Sequence, residues 1–331
     1  MKAIVATKYG SAEVLQLKEV EKPIPKNDEV LIKVYATTVT AGDCELRQFK
    51  MPALFWLPLR IYFGIIKPRI NILGQELSGE IESVGKEVTE FKRGDLVFGS
   101  TQLRFGACAE YVCLPSKYAI VIKPDNMSFE EAAVLPTGGL NALHFIRKAT
   151  IQQGQKVLIV GAAGSIGTLA VQMAKSAGAE VTCIDRTEKL DMLRSIGADH
   201  VIDYTQEDFT KSGKNYDVII DVVGKCPYAR TIKSLNQNGR YILGNPSFPG
   251  VIRGLWTSMT SDKKILFELA GYKKEDLFHL NELFQAGKIK PVIDRRYPLK
   301  QISEAHRYVD QQHKKGNVVI TISEQPTEQS Y

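Results

Sequence analysis

The sequence of 331 residues has little cysteine and lacks the long apolar runs of membrane-spanning helices. Its five cysteines form no Cys-x-x-Cys pair, and an odd number without close pairs argues against a disulfide framework. We therefore expect a reducing, cytoplasmic compartment. No apolar run is long enough to cross a bilayer, and the N-terminus becomes polar too early for a signal peptide. Internal repeats and low-complexity segments are also missing.

Charge of one sign is not concentrated in any part of the chain. The chain contains 43 Lys and Arg and 37 Asp and Glu, which gives a formal net charge of +6, and the basic residues are scattered along it. This balance is compatible with anionic ligands but does not indicate a nucleic-acid partner. Hydrophobic residues make up 44% and charged residues 24%, as is typical of a soluble globular protein. The length predicts two domains of ordinary size.

The clearest motif is a glycine turn between a predicted strand and a predicted helix. An apolar run ends in Gly161-Ala-Ala-Gly164-Ser-Ile-Gly167, and a helical pattern follows. Glycines permit the tight turn and let a pyrophosphate approach main-chain N–H groups at a helix N-terminus. The next predicted strand ends on Asp185, and an acid there suits a ribose 2′-hydroxyl. The alternative is a packing turn without a ligand. The predicted dinucleotide contacts are Gly161, Ala163, Gly164, Ser165, Ile166, Gly167 and Asp185.

The chain changes character near residue 125. Residues 1–122 contain short segments rich in Val and Ile, separated by turn signals, which favour an all-β barrel or sandwich. From Ser128, which has Glu131 at the capping-box position, helical and strand patterns alternate. That alternation predicts a parallel, doubly wound sheet. The fold class is therefore α/β plus β.

Residues 49–70 interleave aromatic and aliphatic residues with basic ones. Such a segment is compatible with a membrane-surface anchor, although it is too short to span a bilayer. We expect Pro52, Pro58 and Pro68 to break a regular amphipathic helix here. We favour an apolar lid or pocket wall.

Several further motifs, in the right order through residues 1–322, carry a family resemblance. They are Gly74-Gln-Glu76-Leu-Ser-Gly79-Glu-Ile81, Leu135-Pro-Thr137-Gly-Gly-Leu-Asn-Ala-Leu143, Gly197-Ala-Asp-His-Val-Ile-Asp-Tyr204 and Pro291-Val-Ile-Asp-Arg-Arg-Tyr-Pro298. With the glycine turn, they resemble the medium-chain dehydrogenase/reductase superfamily in its zinc-independent quinone oxidoreductase (zeta-crystallin-like) branch. The resemblance implies a GroES-like catalytic domain at residues 1–123 and 288–331, and a Rossmann NAD(P)-binding domain at 124–287. It also implies a homodimer through the Rossmann edge strand, at residues 264–270.

The resemblance also bears on metal. The superfamily's zinc enzymes bind catalytic zinc with two cysteines and a histidine, and Thr40, Gln75 and Thr137 stand at the matching positions. Hydroxyls and an amide are poor zinc ligands compared with thiolate and imidazole. The cysteine cluster of the structural zinc lobe is also missing. We therefore expect no zinc. The adjacent Glu76 is expected to be structural.

Without a Lewis acid, acceptors with delocalised developing charge are favoured, namely quinones and conjugated enones. Related quinone reductases carry a tyrosine where this chain has Glu45, so we take Tyr62 as the candidate substitute proton donor, with a place in the pocket wall as its alternative role. Asp43 matches the family motif and is a second catalytic candidate, with a structural cap as its alternative role. Two other functions stay open: a cofactor-binding scaffold or regulator without catalysis, and an alcohol or aldehyde dehydrogenase. The expected substrate is a small apolar carbonyl or quinone.

The cofactor evidence conflicts at one strand end. Asp185 favours NAD(H), because a carboxylate repels a 2′-phosphate. Arg186 follows at once and suits that phosphate, and Lys189 and Tyr204 match 2′-phosphate contacts of NADPH-using relatives. The alternative for Arg186 and Lys189 is a solvated helix start. We favour NADP(H) over NAD(H).

Remaining contacts follow from topology, since ligands bind outside the carboxyl ends of parallel strands. Val223 and Gly224 after one strand, and Gly244 and Asn245 after another, are expected at the cofactor. Thr137, where the chain enters the Rossmann domain, is a further expected contact. A loop at residues 246–263 is expected to face the substrate cleft opposite residues 49–70.

Overall fold

The structure is a computed structural model that describes residues 1–50, 53–268 and 270–323, the first three of the second range as backbone only. The sequence also predicts a frayed tail at residues 323–331. All of that tail beyond Ser323, and Leu269 in the predicted edge strand, lie outside the described residues. The strands in chain order are β1 (Lys2–Ala6), β2 (Leu15–Glu19), β3 (Glu29–Thr38), β4 (Glu76–Val84), β5 (Leu96–Ser100), β6 (Tyr111–Pro115), β7 (Ile120–Ile122), β8 (Lys156–Val160), β9 (Glu180–Asp185), β10 (His200–Asp203), β11 (Tyr216–Asp221), β12 (Leu235–Leu243), β13 (Lys264–Leu266), β14 (Ile293–Pro298) and β15 (Asn317–Thr321).

Most helices of the described residues follow residue 125. In chain order the helices are α1 (Ala41–Gln48), α2 (Ala53–Phe63), α3 (Phe129–Ala133), α4 (Pro136–Ala149), α5 (Ser165–Ser176), α6 (Leu190–Ser195), α7 (Tyr228–Lys233), α8 (Phe248–Thr260), α9 (Lys274–Gln285) and α10 (Ile302–Asp310). However, α1 and α2 lie within the first 122 residues, where only strands were predicted. The predicted capping box at α3 is confirmed, because Ser128 and Glu131 each bond the other's backbone N–H. Over the described ranges, no helix combines the length and apolar character needed to cross a membrane.

Contacts within the chain divide it into two compact units. The first comprises Met1–Thr137, Tyr272–Asn281 and the chain from Ile293 on, and the second comprises Gly138–Gly271 and Glu282–Val292. The domain limits given above, 1–123 with 288–331 and 124–287, stay a prediction.

The second unit is built on a parallel sheet. Its strand order is β10-β9-β8-β11-β12-β13, and every neighbouring pair in it is parallel. The chain winds outward from β8 to one edge and then from β11 to the other, so the order reverses between β8 and β11. This is the doubly wound Rossmann arrangement, with ligands expected at the reversal. The predicted fold class is confirmed for this half.

The first unit is a mainly antiparallel sheet around the long strand β3. β3 pairs antiparallel with β4, β6 and β15. Its alternate residues Val30, Ile32 and Val34 are fully buried and pack in one apolar core, which explains why so long a strand forms here. β14 and β15 come from the end of the chain and join this sheet, as the implied return of the chain to its first domain requires.

Two expectations about local structure are wrong. The predicted loop at residues 246–263 contains α8, which begins after Ser247, whose Oγ accepts the Gly250 N–H at 3.2 Å. Prolines do not prevent a helix at residues 49–70 either, since α2 runs through Pro58. A proline removes one backbone hydrogen bond, and the guanidinium of Arg60 stacks 3.9 Å from the Tyr9 ring centroid and helps to fix the helix.

Candidate functional site

The glycine turn lies at the carboxyl end of β8, where the strand order reverses. Gly161 has φ +75°, and an added Cβ would lie 2.5 Å from Val223 Cγ2. A Cβ on Gly167 would lie 2.5 Å from the carbonyl oxygens of Gly161 and Ala162. At Gly164 the surroundings are open, because the closest described atom to an added Cβ would be the Gly161 oxygen at 3.5 Å. Gly161 and Gly167 are therefore required by packing, whereas Gly164 leaves room for a ligand at the start of α5. This cradle fits a pyrophosphate.

Asp185, at the end of β9, is tied to the turn rather than pointing freely into solvent. Its Oδ2 accepts the Ala163 N–H at 3.0 Å, and its Oδ1 accepts the Arg186 N–H at 3.0 Å. Lys189 Nζ lies 3.3 Å from Oδ1, and both side chains are largely buried. The ammonium of Lys189 therefore compensates the carboxylate that was expected to repel a 2′-phosphate.

A guanidinium and a phenol stand beside this pair. Arg186 Nε donates to Tyr204 Oη at 2.6 Å, and the Tyr204 N–H donates to the Asp185 carbonyl at 3.2 Å. β9 and β10 run parallel, so their carboxyl ends place these residues together. The structure thus brings together the predicted residues Asp185, Arg186, Lys189 and Tyr204.

The other predicted cofactor loops are held by Asp221, a residue that the sequence reasoning missed. Asp221 is fully buried at the end of β11. Its Oδ1 accepts the N–H groups of Val223 and Gly224 at 3.1 and 2.7 Å. Its Oδ2 accepts the Cys226 N–H at 3.2 Å and the Tyr241 hydroxyl at 3.0 Å. An acid directly before Val-Val-Gly at a strand end was the available signal.

The loops after β11 and β12 also touch one another. A Cβ on Gly224 would lie 2.2 Å from the Asn245 carbonyl oxygen, and a Cβ on Gly244 would lie 3.1 Å from the Asp221 carbonyl oxygen. These two loops therefore lie together at the carboxyl ends of the strands, next to the glycine turn, and they contain the predicted contacts Val223, Gly224, Gly244 and Asn245. Their predicted role as cofactor contacts stays a prediction.

In the first unit, Asp43 is part of the capping box of α1. Its Oδ2 accepts the Thr40 N–H and hydroxyl at 2.9 and 2.6 Å, and its Oδ1 accepts the Gly74 N–H at 3.2 Å. Burial raises the pKa of this carboxyl, and the Thr40 and Gly74 donors oppose the shift. Gln75 is close by, since a Cβ added to Gly42 would lie 3.3 Å from its Nε2.

Glu76 links β4 to the start of α4. Its carboxylate accepts the Thr38 hydroxyl at 2.5 Å and the Thr137 N–H at 2.7 Å. Complete burial raises the pKa of Glu76 to about 7, against the lowering effect of the Thr38 and Thr137 hydrogen bonds. Thr137 is thereby positioned by a buried acid. Within the described residues, no group of His, Cys, Asp and Glu side chains is arranged to hold a metal ion.

Tyr62 lies in a different element from Asp43. It is on the exposed side of α2, and its ring centroid lies 4.9 Å from that of Phe63.

Comparison with known proteins places this geometry in a family. Residues 26–125 match the alcohol dehydrogenase GroES-like domain, residues 140–226 match the alanine dehydrogenase/PNT C-terminal domain, and residues 196–320 match the zinc-binding dehydrogenase model. The NADPH-dependent alkenal/one oxidoreductase of Arabidopsis thaliana is 31% identical over 97% of this chain and 79% of its own length. The chain belongs to the medium-chain dehydrogenase/reductase superfamily.

Two more proteins are similar to this chain over nearly its whole length. The 2-methylene-furan-3-one reductase of Solanum lycopersicum is 33% identical, over 97% of this chain and 79% of its own. The structure of the quinone oxidoreductase from Coxiella burnetii superimposes with a TM-score of 0.86 at 28% identity, covering 98% of this chain and 99% of the other. The recognised superfamily and its quinone oxidoreductase-like relatives are thus confirmed.

Proposed function

We propose that this chain is a zinc-independent, NAD(P)H-dependent oxidoreductase that reduces quinones or conjugated enones by hydride transfer. The observation that carries the proposal is the Rossmann glycine turn, with open space above Gly164. The relatives of this chain in the superfamily include alkenal/one, furanone and quinone reductases, which supports the proposal. Thr40, Gln75 and Thr137, at the zinc-ligand positions, support a reaction without metal, because hydroxyl and amide groups bind zinc poorly.

The residues of this chain have distinct tasks in that reaction. The main-chain N–H groups at the start of α5 bind the pyrophosphate, and the Asp221-held loop orients the rest of the dinucleotide. When bound, the reduced nicotinamide supplies the hydride. The acceptor oxygen or α-carbon then takes a proton. We assign that proton to the Tyr62 hydroxyl rather than to Asp43, because both Asp43 oxygens already accept hydrogen bonds in a buried cap.

NADP(H) is the proposed cofactor. Lys189 compensates the Asp185 charge, and Arg186, hydrogen-bonded to Tyr204, presents a second cation beside it. A 2′-phosphate gains charge-assisted hydrogen bonds from such a pair, which a bare ribose hydroxyl does not.

A homodimer is proposed as the working form. β13 stands last in the strand order of the described Rossmann unit, and a strand in that place offers its outer backbone groups to a second copy. α8, which packs on β13 through Gly254, turns Trp256 and Met259 to the solvent. Burying this face against its equivalent stabilises the pairing.

The test is cofactor consumption by the purified chain, with NADPH and NADH offered separately against quinones and conjugated enones. We expect turnover with both acceptor classes and faster turnover with NADPH. If neither cofactor is consumed while nicotinamide fluorescence still reports binding, the chain is a scaffold and the proposal fails. Stoichiometric zinc in the active protein would instead favour an alcohol dehydrogenase.

A further inference from the structure

A short turn at the end of α2 presents two adjacent isoleucines to the solvent. Ile65 and Ile66 are exposed by 65% and 89%. Single exposed apolar residues are ordinary on protein surfaces, whereas two neighbouring isoleucines that are both exposed form a small apolar patch. We refer to residues 64–69 as the isoleucine tip.

The isoleucine tip is held in place by hydrogen bonds on both of its sides. The Arg69 N–H donates to the Phe63 carbonyl at 2.7 Å, and Arg60 Nε donates to the Ile65 carbonyl at 2.8 Å. Tyr9 Oη lies 3.0 Å from the carbonyl oxygens of both Phe63 and Gly64. Gly64 has φ +115°, and an added Cβ would lie 2.1 Å from the Lys67 carbonyl oxygen. The exposure of the isoleucines is therefore built into the turn.

The charged residues in the stretch of sequence that contains the isoleucine tip have one sign. From Leu46 to Gln75 the sequence contains no acidic residue. Lys67 and Arg69, in the tip itself, are exposed, as is Lys50 before α2. Arg60 is stacked on Tyr9 and is committed to holding the turn. The tip thus combines exposed aliphatic side chains with cations and has no anion nearby in sequence. This combination complements a lipid bilayer, which has an apolar interior and can have an anionic surface.

We propose that the isoleucine tip binds the surface of an anionic lipid bilayer, with Ile65 and Ile66 inserted below the headgroups and Lys67 and Arg69 on the lipid phosphates. This inference goes beyond the proposed function and does not depend on it. The tip is too short to anchor the chain permanently, so the binding is reversible and weakened by salt.

Sedimentation with lipid vesicles tests the proposal on the full chain without any assay of turnover. We expect binding to phosphatidylcholine vesicles that contain phosphatidylglycerol, and much weaker binding to phosphatidylcholine alone. The double variant Ile65→Ser/Ile66→Ser is expected to bind roughly tenfold more weakly at low salt, since it removes the inserted apolar area. Lys67→Gln/Arg69→Gln is expected to weaken binding and to reduce its salt dependence.

Ile24→Ser is the matched control, because Ile24 lies in the same unit and is 84% exposed outside the tip. It is expected to bind as the original chain does. Absence of binding to anionic vesicles, or an equal loss in Ile24→Ser, overturns the proposal. A loss of kcat/KM for a water-soluble quinone in Ile65→Ser/Ile66→Ser, measured without vesicles, would identify the tip as a substrate lid. If Ile65→Ser/Ile66→Ser is monomeric where the original chain is a dimer, as measured by sedimentation velocity, the tip is a contact between copies. Either of these two results also overturns the proposal. Thermal unfolding of each variant verifies that it is folded.

Discussion

Gly164 and Gly167 belong to the same turn, yet an added methyl group meets different surroundings at each. At Gly164 the backbone has φ −84° and ψ 177°, which any residue adopts, and the Cβ meets no described atom closer than 3.5 Å. We therefore expect Gly164→Ala to lower the free energy of unfolding by about 1 kcal/mol or less. It should nevertheless weaken NADPH binding by at least roughly tenfold, because the methyl group occupies the space of the pyrophosphate.

Gly167→Ala provides the contrast, since its Cβ would lie 2.5 Å from backbone oxygens. This variant should lose about 1–3 kcal/mol of stability. Denaturant unfolding and nicotinamide fluorescence separate the two effects. Unchanged NADPH affinity in Gly164→Ala would contradict the phosphate position.

Arg186 decides between the two nicotinamide cofactors in our interpretation. Arg186 is half-buried and its partner Tyr204 is exposed, so its removal leaves no buried group unpaired. Loss of a charge-assisted bond of about 1.5–3 kcal/mol predicts that Arg186→Ala raises KM for NADPH roughly 10- to 100-fold. KM for NADH should stay nearly constant. Lys156→Ala is the control, because Lys156 is exposed at the amino end of β8, opposite the turn. Equal effects on both cofactors would count against a 2′-phosphate contact.

Glu76 links stability to pH. Burial raises its pKa from 4.5 to about 7 in the folded chain. Between these values the folded state holds a proton that the unfolded state has released, so stability falls as pH rises through this window. The integrated effect is about 3 kcal/mol, as an order of magnitude. Glu76→Gln should flatten this decline, which urea unfolding at pH 5 and at pH 7.5 measures. A variant that declines as steeply as the original chain would exclude Glu76 as the source.

At the scale of elements, the loop after β11 depends on one carboxylate. Asp221 accepts the N–H groups of Val223, Gly224 and Cys226, and an asparagine keeps the size but replaces one acceptor oxygen with a donor. We expect Asp221→Asn to lose about 2–4 kcal/mol of stability and to raise KM for the cofactor at least roughly tenfold.

Tyr241→Phe removes a single partner of the same carboxylate. It should cost only about 1 kcal/mol and leave the KM for the cofactor nearly unchanged. Cofactor titration and denaturant unfolding distinguish the two variants. If both raise the KM for the cofactor equally, Asp221 does not act through the loop.

The elements also show which features can be predicted from local pattern. The turn at Gly161 and the cap at Ser128 are set by residues close in sequence, and both were predicted. α8 was missed because Gly250 and Gly254 disfavour a helix locally. Gly254 is required by close packing on Ile265, 2.9 Å from an added Cβ, which only the folded unit defines. Asp221 differs, because Val223, Gly224 and Cys226 follow it directly and only its partner Tyr241 comes from the next strand, so the local sequence did contain a signal for it.

At the scale of the whole molecule, the described Rossmann unit ends on a short strand, β13, beside an apolar helix face. Leu255 and Trp256 of α8 are exposed, although the helix packs against the sheet at Gly254. We expect the chain to dimerise through this face, because such a continuous apolar patch is costly to leave in water.

Buried aromatic anchors carry about 2 kcal/mol or more each at interfaces. Leu255→Ser/Trp256→Ser should therefore raise the dimer dissociation constant by at least roughly 100-fold, as measured by sedimentation velocity over a concentration series. Ile24→Ser, which removes a still more exposed apolar side chain from the other unit, should leave the dissociation constant unchanged. A chain that is monomeric throughout, or a dimer that persists in Leu255→Ser/Trp256→Ser, would require a different partner for α8.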